Sequence, residues 1–193
     1  MSDKNQTIRD KIIERALPAV PFEGWSARLL ENAAVEAGYK KSMVRAVFPD
    51  GLADALDHFA DWADRRMLEK LKKTDPEDLR VRDRIRTAVL ARLEVLKAHR
   101  EAERQAVTYW SLPFRAARGG RILWRTAHRI WHWAGDTATD YNHYTKRALL
   151  AGVLASSTLA WLDAEDSAPG FVDRRIENVM EWGRLIGKIK KTG

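Results

Sequence analysis

The stretch Gly24-Trp25-Ser26-Ala27-Arg28-Leu29-Leu30-Glu31-Asn32-Ala33-Ala34-Val35-Glu36-Ala37-Gly38, followed by Tyr39-Lys40-Lys41-Ser42-Met43-Val44-Arg45-Ala46-Val47-Phe48-Pro49-Asp50-Gly51, reads as two short helices joined by a glycine-containing turn. Leu29, Leu30, Ala33, Ala34 and Ala37 recur at helical spacing, with Gly24 and Ser26 opening the helix and Gly38 closing it. The next helix runs from its expected cap, Ser42, to about Phe48, and Pro49-Asp50-Gly51 makes the turn that follows. An earlier helix carries Ile8, Ile12, Ile13 and Ala16 until Pro18 and Pro21 stop it. A longer one follows, marked by Leu52, Ala55, Leu56, Phe59, Ala63 and Met67, ending near Lys73. Together these make a helix-turn-helix with a helix on either side.

The remainder also reads as helices. Asp75, read as an N-cap with Pro76 at the first helical position, opens a helix that carries Ile85, Val89, Leu93 and Leu96 to about His99. Another spans Ala102 to Ser111 and ends at Pro113. Gly119 and Gly120 are expected to precede a helix with Leu123, Ala127, Ile130, Trp131 and Ala134 on its apolar face, broken or bent at Gly135. Thr137 or Thr139 can cap a long helix to Leu162. Residues 163–170 have linker composition, and Phe171 to about Lys190 is a final helix. No run alternates with period 2, so the expected class is all-α. The expected organisation is a helix-turn-helix bundle over 1–51, a helical core over 52–162, a linker over 163–170 and a C-terminal amphipathic helix over 171–193.

Composition narrows the function. In 193 residues there is no Cys, which excludes disulfides, thiol catalysis and thiolate-bound zinc. The amino-terminal residues alternate charged and apolar types, with no signal-peptide pattern, so the chain is expected to stay in the compartment where it is made. The longest uncharged helical stretch, Ala148 to Leu162, falls short of the roughly 20 apolar residues a bilayer span needs. The net charge of +7 invites nucleic acid or an anionic membrane as partner. Residues 1–73 hold 13 basic and 12 acidic side chains, 74–135 hold 13 and 7, and 136–193 hold 8 and 8. The excess therefore lies away from the helix-turn-helix, whose second helix offers only Arg45 for reading bases, with Arg28, Lys40 and Lys41 available for phosphates. DNA is not the expected partner.

The segment from Trp25 through Gly38 to Phe48-Pro49-Asp50-Gly51 resembles the DNA-binding end of the TetR repressor family. Asp140-Tyr141-Asn142-His143-Tyr144-Thr145-Lys146-Arg147-Ala148-Leu149-Leu150-Ala151-Gly152 is similar to the signature of the coenzyme Q protein nine family, the lipid-binding accessory proteins of ubiquinone biosynthesis. Its flanks agree, through Ala134-Gly135-Asp136 before it and Ser156 to Leu162 and Phe171 to Met180 after it. The resemblance implies a TetR-like, dimeric, all-helical protein without catalytic activity. It implies no cofactor beyond a bound isoprenoid quinone precursor, phospholipid or other lipid. It further implies a ubiquinone-biosynthesis hydroxylase as partner, and a peripheral place at the inner face of a bacterial cytoplasmic membrane. The alternative is a ligand-responsive repressor.

By position, the partner-facing patch implied by the resemblance falls on Asp140, Asn142, His143, Tyr144, Lys146 and Arg147, with His143 where the family usually has Trp. On spacing alone, the same residues read as a polar helix face with Tyr144 packed inward. The lipid pocket would draw on Trp110, Phe114, Trp124 and Trp131 in the middle of the chain and on Leu150, Val153, Leu154 and Trp161 after it. An apolar stripe at helical spacing is more often packing than lining. In the last helix Trp182, Leu185, Ile186 and Ile189, with Lys188 and Lys190, have the form of an interfacial membrane segment; a helix docked on the domain is the other reading. Arg115, Arg118, Arg121, Arg125 and Arg129 form a basic stripe, suited either to solvent or to an anionic headgroup. His128, His132, Asp136 and Asp140 recur every four residues, yet Gly135 interrupts the stripe and no metal site is expected.

Overall fold

In the computed structural model the described residues are 3–136 and 141–189, the side chains of 141, 142 and 181–189 excepted. Every regular element among them is helical: α1 (Asp3–Ala16), α2 (Val20–Glu23), α3 (Ala27–Glu36), α4 (Met43–Val47), α5 (Leu52–Leu71), α6 (Val81–Leu96), α7 (Arg100–Ser111), α8 (Pro113–Trp133), α9 (Tyr141–Asp163) and α10 (Ala168–Ile189). The all-α class is therefore as expected. The expected caps Thr137 and Thr139 lie outside the described residues. Two compact units form, one from 1–66 with 96–122 and the other from 67–95 with 123–193.

In the first unit Ile12, Ile13, Leu30, Ala34, Phe48, Leu56 and Phe59 make the core of the helix-turn-helix. The Ser26 hydroxyl accepts from the Leu29 backbone N–H at 3.1 Å, the N-cap the sequence indicated. Gly38 takes φ of +84°, as the αL closure of α3 requires. Ser42 instead sits in helical conformation and makes no capping bond, so α4 begins from backbone turns off Lys40 and Lys41. Pro21 lies in the first turn of α2, where its missing N–H costs nothing.

Trp25 ties α7 to this bundle: its indole donates to the Ala102 carbonyl at 3.0 Å, and its backbone N–H donates to Gln105 Oε1 at 3.1 Å. Asp10 accepts from both ends of the Arg65 guanidinium, at 2.9 and 2.6 Å, and pairs with His58 Nε2 at 2.7 Å. Burial alone would raise the Asp10 carboxyl, but hydrogen bonds from His58 and Arg65 outweigh it and pull the pKa down to about 2. Its contribution is complete above the ordinary carboxylate pKa and is lost as pH falls through about 2. Arg118 reaches Asp50, Asp54 and Asp57 at 3.1, 2.5 and 3.2 Å, so it is held by acids rather than presented to a headgroup.

The sequence suggested that Gly119 and Gly120 precede a helix. Instead α8 runs unbroken through both. A Cβ on Gly119 would stand 3.0 Å from the Trp110 Cβ of α7, so this glycine serves close approach within a helix rather than a turn.

In the second unit Met67, Val89, Ile130, Leu150, Val153, Leu154, Val172 and Ile176 share one core. Asp75 accepts from the Glu77 N–H at 2.9 Å but caps a 3-10 turn, Pro76–Asp78, and α6 starts only at Val81. Arg84 donates to the carbonyls of Leu79 and Ala134, both at 2.8 Å, binding the approach to α6 to the end of α8. Gly135 adopts φ of +81° and the Asp136 N–H returns to the Trp131 carbonyl at 2.9 Å, a glycine-closed helix end. The stretch expected as linker holds a 3-10 turn, Glu165–Ser167, and the last helix already begins at buried Ala168.

Gly120→Ala, with open space around the new methyl, should raise stability by about 0.5–1 kcal/mol. Gly119→Val should lower it by about 1–3 kcal/mol through overpacking against Trp110. Denaturant midpoints of the two variants check the pair; equal midpoints would contradict the packing account.

Candidate functional site

The second unit contains an apolar cavity of about 200 Å³. Helix α6 contributes Val81, Arg82 and Ile85 to its lining, and α8 contributes Trp131. Helix α9 adds Lys146, Leu149, Leu150 and Val153, and α10 adds Ile176, Val179 and Met180. Ile85, Leu150, Val153 and Ile176 are buried and form the floor, whereas Leu149 and Met180 are each 39% exposed and belong to the mouth. These four helices meet because each buries an apolar stripe in the shared core.

A close ion pair fastens α10 to α6, and a second, looser pair lies one turn along. Arg86 donates to Asp173 at 2.6 and 3.3 Å, and Arg82 stands 3.9 Å from Glu177. Each helix supplies one partner per turn in opposite order, so the two run antiparallel. The wall opposite is set by Trp131, whose indole donates to the Lys146 carbonyl of α9 at 3.1 Å. The ammonium of Lys146 lies 5.3 Å from the Trp131 ring.

Beside this wall is a buried charge cluster. Arg147, with 2% of its side chain exposed, donates to Asp136 at 3.0 Å; Asp136, at 5%, also accepts from Lys146 at 2.7 Å. Arg147 donates further to the His143 carbonyl at 3.0 Å and to His128 Nδ1 at 3.1 Å. Burial would raise the Asp136 carboxyl, but Lys146 and Arg147 outweigh it and hold the group below the usual range. Burial lowers His128, and the neighbouring Arg147 charge lowers it further, consistent with a neutral ring whose Nδ1 accepts. Among the described residues no three metal-ligating side chains assemble, and His128 and Asp136 are both engaged by Arg147.

Of the eight side chains expected to line a lipid pocket, Trp131, Leu150 and Val153 line this cavity. Leu154 and Trp161 are buried, and Leu154 belongs to the core of this unit. Trp124 stacks on Tyr144 at 6.2 Å. Trp110 and Phe114 belong to the first unit; Trp110 packs on Tyr109 and Gly119, and Phe114 is 76% exposed. The lining residues that escaped sequence reasoning are Val81, Arg82, Ile85, Leu149, Ile176, Val179 and Met180. Ile176 and Val179 lie on the apolar stripe of α10, a pattern that suits a membrane surface and burial inside a protein equally well.

The expected partner patch divides. Tyr144 is 63% exposed rather than packed inward, with His143 edge-on to it at 5.2 Å. Arg147 is turned inward and cannot meet a partner from the surface. Lys146 is half-exposed and paired with Asp136. Asp140 and the Asn142 side chain lie outside the described residues. So do the side chains of Trp182, Leu185, Ile186, Lys188 and Ile189, together with Lys190; upstream of them Val172 and Ile176 are buried against the protein. No helix of the described residues is long and apolar enough to cross a membrane.

The COQ9 family matches residues 116–183, which take in most of α8, all of α9 and most of α10. The chain is 29% identical to the ubiquinone biosynthesis protein COQ9, mitochondrial, of Rattus norvegicus, over 99% of its own length and 64% of that protein's. It is 28% identical to the Homo sapiens protein of the same name, over 99% and 63%. With the Drosophila melanogaster protein it shares 30% identity over 96% and 59%. The chain thus spans just under two-thirds of the rat and human relatives. A TetR transcriptional regulator from Nitrosomonas europaea ATCC 19718 has the same fold, with a TM-score of 0.70 and 18% identity over 90% of this chain and 98% of that one. Both the TetR-like fold and the resemblance to the coenzyme Q protein nine family are borne out.

Asp136→Asn should destabilise the protein by about 3–5 kcal/mol, because it leaves the Arg147 charge buried without its counter-ion. Asp136 supports stability above the ordinary carboxylate pKa, and that support is lost as pH falls through its depressed folded value. In the wild type the midpoint should therefore fall on acidification, and Asp136→Asn should flatten part of that fall. Urea midpoints between pH 3 and 7 check both; a wild-type midpoint for Asp136→Asn would contradict the account.

Proposed function

We propose, proceeding from the likeness to the COQ9 proteins, that the chain is a lipid-binding accessory protein of ubiquinone biosynthesis. In this reading it takes up a polyprenyl quinone precursor and presents it to a hydroxylase, performing no catalysis itself. It acts as a dimer at the inner face of the bacterial cytoplasmic membrane, with the distal part of α10 on the lipid surface and the Tyr144 face toward the hydroxylase. The observation that carries the reading is the cavity lined by α6, α8, α9 and α10, whose lining residues on the last three lie within the segment that matches the COQ9 family. Its apolar floor suits an isoprenoid or the ring it bears, and offers no constellation for bond-making.

A cavity near 150 Å³ admits a benzene-sized guest, so about 200 Å³ takes a ring or a short apolar segment. A long tail would leave over Leu149 and Met180 toward the membrane. Protein purified without detergent and analysed by native mass spectrometry should carry isoprenoid or another lipid. A ligand-free spectrum, together with failure to take up added lipid, would overturn the reading.

A ligand-responsive repressor remains the second reading because the fold is that of a TetR regulator and Arg28, Lys40, Lys41 and Arg45 are exposed. The first unit nonetheless puts Arg118 among three carboxylates, and α4 offers one cation. Binding to duplex DNA should be weak and without sequence preference. A sequence-specific complex with a steep salt slope would favour the repressor.

A further inference from the structure

We infer that the mouth of the apolar cavity recognises an acid: the preferred guest is an amphiphile whose carboxylate or phosphate head lies against Arg82 and Lys146 while its apolar body fills the floor. The inference rests on the lipid-binding reading and adds the class of lipid selected. Among the described residues the charged side chains of the lining are Arg82 and Lys146, both cations; the lining is almost wholly apolar, so their stems border the cavity and their heads stand at its rim. With 38% and 41% of their side chains exposed, they lie at the mouth, above buried Ile85, Leu150, Val153 and Ile176. Among the described residues the charged groups at this rim that belong to the lining are therefore both positive.

Among the described residues the neighbouring acids, Asp136 and Glu177, leave Arg82, Lys146 and Arg147 with one net positive charge. Asp136 is shared between Lys146 and buried Arg147, so this trio carries one net positive charge. Glu177 faces Arg82 from 3.9 Å and is itself 56% exposed, an arrangement that holds neither group firmly. Arg86, one turn along α6, is taken by Asp173. The Trp131 ring covers one side of Lys146 and strips it of some water. An acidic head would replace that water with charge-assisted hydrogen bonds, which a neutral hydroxyl or carbonyl gains only in part.

The test compares probes with one tail and three heads: decanoic acid, decyl phosphate and decanol, titrated calorimetrically into the full chain at low salt. At least one acid should bind about ten-fold more tightly than the alcohol, and added salt should narrow the gap. Arg82→Gln and Lys146→Gln, with thermal midpoints recorded to confirm folding, should each shrink the ratio of acid affinity to decanol affinity. Preference for the phosphate identifies a phospholipid-like head; preference for the carboxylate identifies an aromatic or fatty acid. Equal binding of acid and alcohol overturns the inference but leaves the lipid reading standing. Binding of none overturns both. An acid preference that survives in both variants removes the assignment to Arg82 and Lys146.

Discussion

Arg147 brings a positive charge to a place that is almost closed to water, and Asp136 makes that placement tolerable. The pair fixes more than itself. Arg147 also holds the His143 carbonyl and the His128 ring, while Asp136 restrains Lys146, so one buried contact sets the first two turns of α9 against the end of α8. The register of α9 then decides which side chains follow on the inner face one and two turns later. These are Leu150 and Val153, the cavity floor, with Leu149 at the mouth. Gly135, closing α8 with positive φ, delivers Asp136 to its position, and Arg84 seals the carbonyl left open beside it.

The charge excess has a structural explanation that counting could not supply. The middle of the chain carries most of the surplus, but its arginines do not act as one stripe. Arg118 is absorbed by three aspartates, and Arg115 lies over the Tyr109 ring at 3.6 Å. Arg84 binds backbone carbonyls, and Arg86 grips Asp173. Arg82 of that stretch lines the cavity together with Lys146 of α9. A helical-spacing argument treats each cation as facing solvent, because it sees the helix bearing it and not the acids that come from elsewhere in the chain.

The fold was legible where local chemistry decides it. Ser26, Gly38 and Gly135 each do what residues of those types do at helix ends, and the apolar spacing of α1, α3, α5 and α6 marked their buried faces. Reading failed where a residue type serves two purposes. Gly119 looked like a helix boundary and is instead the point where α8 comes close to Trp110. Ser42 and Asp75 looked like α-helix caps; Ser42 is already helical, and Asp75 caps a short 3-10 turn. The site was legible only in part for the same reason. Trp131, Leu150 and Val153 could be chosen as apolar residues on the right helices, but Val81, Ile85 and Met180 reach the cavity through long-range packing that one helix does not encode. The amphipathic stripe of α10 is equally suited to a bilayer and to a protein core, and its first two turns chose the core.

The central claim is that the second unit binds lipid in the cavity between α6, α8, α9 and α10. It is tested most directly by photo-crosslinking a short prenyl chain bearing a benzophenone and sequencing the labelled peptides. The account predicts label on α9 near Leu149 to Val153 and on α10 near Ile176 to Met180, competed away by unlabelled lipid. Label confined to the first unit, or label that excess lipid does not displace, would contradict it.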